Sequence, residues 1–228
     1  MRIVNHGLPL IEVNIPFRDI LRLYAYASPP FLNLSISYPP LCDILIVEEM
    51  GGIAMEMSIL YAIPRNEWLD MFFLGVTKVA GSYGQLWLVV GVVLLLFKKT
   101  RKTGIAVLIS YAGVYILGQL ILKNLFARPR PCHVDQTFAL LVNRPSSTSF
   151  PSTHSAWAFA AATTIFMKFK KTGIAVFVVA AVIAFSRLYM FLHFPTDVLA
   201  GILFGVMIGI ATVLICDRAV KKRNTESE

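Results

Sequence analysis

The chain is 228 residues long, 57% hydrophobic and only 15% charged, with a mean hydropathy of +0.68. Soluble domains of this size carry more charge, so the composition excludes one and points to an integral membrane protein. The net charge of +8 needs no nucleic-acid partner, because basic loops lying against anionic lipid account for it.

Residues 1–54 contain Pro29-Pro30 and Pro39-Pro40 and no run long enough to span a bilayer. Asn5, His6, Pro9, Glu12, Asn14 and Pro16 interrupt any signal-peptide core. This segment is expected to be a poorly structured N-terminal extension. Two origins stay open: a loosely folded cytoplasmic segment, or an over-extended start. On the second, Gly51-Gly52 are encodable by a GGAGG ribosome-binding sequence just ahead of Met55.

From 69 to 97 an apolar region is broken by Gly81-Ser82-Tyr83-Gly84, a tight-turn sequence. One long span or a hairpin of two short ones would fit, and the hairpin is expected. Three further apolar runs, 104–126, 173–192 and 198–216, approach the ~20 residues that cross a bilayer. A fourth, 155–169, reaches that length by starting at Pro151. Basic clusters at 98–102, 168–171 and 218–223 are each separated by two spans, so all can lie on the inner face. The expectation is an all-α membrane protein, a six-span transmembrane helix bundle over 55–217. Both termini are cytoplasmic, residues 218–228 form a polar tail, and the active site lies at the outer face. Cys42, Cys132 and Cys216 are scattered without CxxC spacing, so neither a disulfide framework nor a metal site is expected. Trp68, Trp87 and Trp157 read as interfacial or packing aromatics, and His6 and His133 as solvated.

The outer connections carry the wrong charges. Lys123, Arg128, Arg130 and Arg144 run against the bias of topology, so topology is not why they are there. Ser152, Thr153 and His154 open the fourth span. Arg187, His193 and Asp197 sit where the fifth ends and the sixth begins. Ionisable groups at membrane depth are costly and mark function. Lysine and arginine beside the helix-terminating Pro129 and Pro131 make a cationic pocket suited to phosphate oxygens. The helix start at Pro151-Ser152 adds outward N–H groups and a favourable dipole. One imidazole can attack phosphorus and a second can protonate the departing oxygen. Asp197, beyond Pro195, is placed to hold an imidazole N–H and fix its tautomer. Arg128 and Arg144 either extend the anion pocket or bind neighbouring head groups.

These residues resemble a known family. Lys123 to Pro131 fits KxxxxxxRP, Pro151 to His154 fits PSGH with one change, and Ser186 to Asp197 fits SRxxxxxHxxxD. Together they look like the signature of the type 2 phosphatidic acid phosphatases, PAP2, over residues 60 to 217. The resemblance implies His193 as nucleophile, His154 as leaving-group acid and Asp197 as the group that orients His193. It implies Lys123, Arg130, Ser152, Thr153 and Arg187 as the phosphate holders. No cofactor is expected, and no metal, because paired ions need several carboxylates and the outer segments offer only Asp135 and Asp197. Thr153 departs from the family glycine and is expected to narrow the space beside the phosphate. The implied activity is that of a bacterial plasma-membrane lipid phosphatase working through a phosphohistidine. Undecaprenyl diphosphate is the first choice of substrate, and phosphatidylglycerophosphate or phosphatidate the alternatives. A lipid phosphotransferase and a non-catalytic lipid transporter stay open. The expected partners are the lipid substrate and the bilayer.

Overall fold

The structure is a computed structural model. It describes residues 51–222 and 225 with their side chains, and backbone elements at 2–4, 11–12, 35–37, 40–50 and 223–224. Strands β1 (Arg2–Val4), β2 (Ile11–Glu12) and β3 (Ser35–Ser37) form a small antiparallel sheet in the order β2-β1-β3. From Pro40 onward every regular element described is helical. Helix α1 (Pro40–Tyr61) runs through residue 54, so no break in secondary structure separates the extension from the bundle. Cys42 and His6 lie outside the described side chains.

Helix α2 (Glu67–Ala80) starts at Asn66, whose Oδ1 accepts the Leu69 N–H at 2.9 Å, and stops at Gly81 with φ +73°. Helix α3 (Gln85–Leu96) follows Gly84 at φ +67°. Both glycines are left-handed, where a side chain would strain the turn. The pair is bent by 54°. That deflects the chain by far less than the reversal a tight hairpin makes, so α2 and α3 form a bent pair, the geometry of a broken span or of a re-entrant loop. Helices of 14 and 12 residues rise only about 21 and 18 Å, and neither crosses ~30 Å of hydrocarbon alone.

Helix α4 (Arg101–Gly113) continues through a π-helical stretch (Val114–Leu122) into α5 (Lys123–Phe126), and α6 (Pro131–Val134) follows. Helices α7 (Thr153–Lys168), α8 (Lys170–Tyr189) and α9 (Pro195–Thr225) come next. Among the described residues, Arg101–Val134, Lys170–Tyr189 and Pro195–Lys222 are long and apolar enough to cross a membrane, and the bent pair is a fourth candidate.

Helix α7 is the centre of the bundle. Ala156, Ala158, Ala160, Ala161 and Ala162 are all at most 2% exposed, and the helix packs on α8, α9 and α4. Small residues let the backbones close in. Gly201, Gly205 and Gly209 of α9 recur every fourth residue against α7. A Cβ there would stand 2.4 Å from the Ser152 carbonyl oxygen, 2.3 Å from that of Ala156 and 2.8 Å from that of Ala160. Leu199, Leu203, Met207 and Leu214 on the other face of α9 are exposed. The helices run parallel between two anchors. Ser152 N–H donates to Asp197 O at 3.0 Å at one end, and Lys168 Nζ meets Asp217 at 2.6 Å at the other.

Gly205→Val is expected to force α9 off α7. Overpacking a backbone contact costs about 2–3 kcal/mol, and at roughly 2–4 °C per kcal/mol for a chain of this size the unfolding midpoint in detergent should fall by several degrees. An unchanged midpoint refutes this packing.

Candidate active site

The loop after α5 is clasped at its root. Ala127 takes φ +47°, which turns the chain back and lets the segment ahead of α7 lie against it. Lys123 Nζ donates to Thr148 O at 3.0 Å, and Thr148 Oγ1 returns a bond to Lys123 O at 2.8 Å. Ser149 N–H donates to Arg128 O at 2.8 Å. Arg130 is pinned on three sides. Its Nε donates to Ser147 O at 2.7 Å, its Nη2 to Ser147 Oγ at 2.9 Å and its Nη1 to Leu192 O at 2.8 Å. Lys123 and Arg130 are each 4% exposed, so their charges act in a poorly screened environment.

His193 lies in the short connection between α8 and α9, 2% exposed. Arg130 Nη1 is 3.0 Å from its Nε2. A guanidinium can only donate, so Nε2 is the acceptor and Nδ1 carries the hydrogen. Burial first, and then the Arg130 charge, push the His193 pKa down to about 3. The ring is therefore neutral at physiological pH, with an Nε2 lone pair directed at the cationic side chain.

Behind the ring the arrangement differs from the sequence expectation. His193 Nδ1 is 3.7 Å from Asp197 Oδ2, too far for a direct hydrogen bond. The Ser149 hydroxyl stands between them, 3.4 Å from Nδ1 and donating a short bond to Asp197 Oδ2. The relay runs from Nδ1–H to the serine oxygen, and from the serine hydrogen to the carboxylate. Phe194 N–H also donates to Asp197 Oδ2, at 2.8 Å. Asp197 and Ser149 are fully buried. Ser149→Ala removes the bridge but leaves ring and carboxylate in place. We expect about a tenfold loss of turnover, the scale of an outer hydrogen-bond partner, read as kcat at saturating substrate. Wild-type kcat would rule the bridge out.

His154, on the first turn of α7, faces the break between α2 and α3. Its Nε2 is 2.8 Å from Gly81 O. A carbonyl only accepts, so Nε2 bears a hydrogen, and a proton for a leaving group would come from Nδ1. The same break touches Trp157, on which a Cβ at Gly84 would collide at 2.6 Å. Trp157 stacks on Tyr111 with centroids 5.4 Å apart, and Tyr111 Oη donates to Tyr83 O at 2.8 Å. Arg187, 2% exposed, donates from Nη2 to Thr77 Oγ1 at 2.7 Å and to Ser186 Oγ at 2.9 Å. Ser152 Oγ pairs with Ser155 Oγ at 2.9 Å.

Lys123, Arg130, Arg187, His154 and His193 lie within electrostatic reach of one another. Two of the candidate side chains are engaged elsewhere. Thr153 Oγ1 donates to Gln119 Oε1 at 3.2 Å, and its methyl lies where a Cβ at Gly118 would approach to 3.3 Å. Its side chain thus packs on the π-helical stretch. Arg128 is shared between two carboxylates. Nη1 donates to Asp197 Oδ1 at 2.7 Å and Nη2 to Glu56 Oε1 at 2.6 Å. Arg144 is exposed and bonds Gln136 O at 3.2 Å. Sequence reasoning missed Ser149, Thr77, the Gly81 carbonyl and Glu56. Only Glu56 carried a signal, as the one charged residue in the run 50–64. Among the described residues no three His, Cys, Asp or Glu side chains gather as a metal site would require. Cys132 is a buried free thiol, and Trp87 and Trp157 are buried packing aromatics while Trp68 is 80% exposed.

Several known proteins are similar to this chain. Undecaprenyl-diphosphatase of Sulfolobus acidocaldarius is 33% identical over 169 residues, covering 74% of this chain and 81% of its own. Phosphatidylglycerophosphatase B of Bacillus subtilis is 32% identical over 160 residues, 63% of this chain and 73% of its own. The crystal structure of a transmembrane PAP2 type phosphatidylglycerolphosphate phosphatase from Bacillus subtilis superposes with a TM-score of 0.61 at 27% identity, covering 74% of this chain and 87% of that one. Residues 103–221 match the PAP2 superfamily, and those residues contain all three motifs, so the chain belongs to that family of membrane lipid phosphatases.

Proposed function

We propose that the protein hydrolyses a lipid phosphate through a phosphohistidine on His193. The observation that carries this reading is the His193 ring itself. Its Nε2 lone pair faces Arg130, and its Nδ1–H is backed by Ser149 and Asp197. A phosphoryl group in that space accepts from Lys123, Arg130 and Arg187 and from the N–H groups at the start of α7. Nε2 attacks phosphorus as the ester or anhydride bond breaks, and His154 gives a proton to the departing oxygen. Water then attacks the N–P bond, with His154 now taking the proton, and releases inorganic phosphate and free His193. Developing charge on the equatorial oxygens is met by fixed cations, the largest usual contribution to such barriers. A phosphate carrier would need the clamp but not the backed imidazole.

In the membrane, five traverses fit the helices: α2–α3, α4 through α5, α7, α8 and α9. Helix α7 is short at 16 residues but runs between the same two levels as α9. The basic segments at 98–102, 168–171 and 218–223 then face the cytoplasm, and the site opens on the extracytoplasmic side of a bacterial plasma membrane. Residues 55–217 form the catalytic bundle, and 1–54 are dispensable for it.

Undecaprenyl diphosphate is the substrate proposed first, on the strength of the Sulfolobus relative. With Arg128 held by carboxylates, the charge argument for a diphosphate rests on Lys123, Arg130 and Arg187 alone. The Bacillus relative supports phosphatidylglycerophosphate as the second reading. The test is phosphate release by the purified protein from undecaprenyl diphosphate, phosphatidylglycerophosphate and phosphatidate in one detergent. We expect the highest kcat/KM for the diphosphate, full activity in EDTA and inhibition by vanadate. A tenfold preference for phosphatidylglycerophosphate, about 1.4 kcal/mol of transition-state binding, overturns the substrate choice. Loss of activity in EDTA that magnesium restores overturns the mechanism.

A further inference from the structure

Glu56 is a carboxylate on an otherwise apolar turn of α1, 7% exposed. A buried carboxylate is costly unless its oxygens are matched, and these are. Oε1 accepts from Arg128 Nη2 at 2.6 Å. Oε2 accepts from Thr196 Oγ1 at 2.8 Å and from the Thr196 N–H at 3.3 Å, which is an exposed donor of the first turn of α9. Arg128 completes the array, with Nη1 on Asp197 Oδ1 and on Thr196 Oγ1, each at 2.7 Å. Its guanidinium lies 4.2 Å over the Phe194 ring.

We propose that Glu56 is a positioning residue for the reaction assigned to His193, acting through Arg128 and the first turn of α9 on Asp197. This rests on the function proposed above. The two Asp197 oxygens have separate duties. Oδ1 is held by Arg128, while Oδ2 faces Ser149, the Phe194 N–H and His193. A guanidinium prefers to grip one carboxylate with both its N–H donors. Glu56 prevents this by taking the second one. Arg128 therefore touches Asp197 at one oxygen, and Oδ2 stays turned to the serine that backs the nucleophile. Sharing Arg128 between two carboxylates also leaves more of the Asp197 charge to stabilise the imidazolium that forms as Nε2 is phosphorylated. A residue from α1 thereby completes a site whose recognised motifs begin at Lys123.

Glu56→Gln keeps the size but removes the charge and one of the two acceptor oxygens, so it cannot accept from Arg128 and from the Thr196 N–H at once. We expect kcat to fall about 10- to 100-fold, as for a removed partner behind an active residue, with KM within about threefold because no phosphate contact is touched. Arg128→Lys, which puts a single ammonium centre in place of the separate Nη1 and Nη2 donors, should show the same pattern and serves if Glu56→Gln does not accumulate. In an Asp197→Asn background, Glu56→Gln should have no further effect on residual kcat, since the two act as one unit. A wild-type kcat overturns the proposal, as does a loss confined to KM or an undiminished loss in the Asp197→Asn background. His193→Ala is assayed beside them. If it keeps turning over, the nucleophile assignment fails. If it is inactive while Glu56→Gln is normal, only the Glu56 proposal fails.

Discussion

His193→Ala is expected to lower kcat by about 10⁴-fold or more, upwards of 5 kcal/mol of barrier, because the attacking atom is gone and the rest of the unit cannot replace it. The protein should still insert and fold. Arg130 keeps both Ser147 contacts and the Leu192 carbonyl, and Asp197 keeps Arg128, Ser149 and the Phe194 N–H. Two further readouts bear on the same assignment. Stopped turnover of the wild type should trap a phosphoryl group on nitrogen, labile to acid and stable to base, and the variant should trap none. Protonation removes the Nε2 lone pair, and the folded-state pKa lies far below the ordinary 6.5. Loss of kcat/KM from His193 protonation therefore sets in well below pH 6.5, not around it. Near-normal phosphate release by the variant would end the phosphohistidine mechanism.

His154→Ala is expected to cost about 10²–10⁴-fold on a lipid phosphomonoester, the range of a general acid at a poor alkoxide leaving group. The loss should shrink to roughly tenfold or less when the leaving group is already acidic, as with an aryl phosphate or with the lipid monophosphate expelled from a diphosphate. The reason is geometric. Gly81 O holds Nε2–H at 2.8 Å, which aims Nδ1 and leaves it as the only ring atom able to deliver a proton. An equal loss on both leaving-group classes would assign His154 to binding instead.

Much of the site was legible before any fold was known. Lysine, arginine, histidine and aspartate at the ends of apolar spans are costly enough to stand out singly. Three such groups at matching depth can only come together if the helices form one bundle. The motif residues Lys123, Arg130, His154, Arg187 and His193 accordingly converge. The role of Arg128 stayed open in the sequence for a physical reason. Counting charge cannot tell a cation offered to a ligand from one neutralised by carboxylates 69 and 72 residues away. Ser149 was invisible because a hydroxyl beside a motif looks like any other serine until its oxygen is found between a ring and a carboxylate. The Gly81–Gly84 break was visible as a turn, but its angle was not. Two left-handed glycines permit either a reversal or a bend, and the packing of Gly84 on Trp157 and of Tyr111 on Tyr83 selects the bend.

The amino-acid sequence by itself determined a helical membrane protein that carries cationic and imidazole side chains in three motifs at the ends of its apolar runs. Hydropathy, the cost of buried charge and the spacing of the motifs all act along contiguous chain. Tertiary structure alone decided which ring nitrogen of His154 and of His193 carries the hydrogen, that Arg128 is paired with carboxylates, and that Thr153 packs against Gln119 on the π-helical stretch. It also decided that a glutamate of α1 belongs to the site. Those facts are directions and pairings of side chains, set only when α7 and α9 close on their glycine seam and fix Asp197 against Ser149, Arg128 and His193.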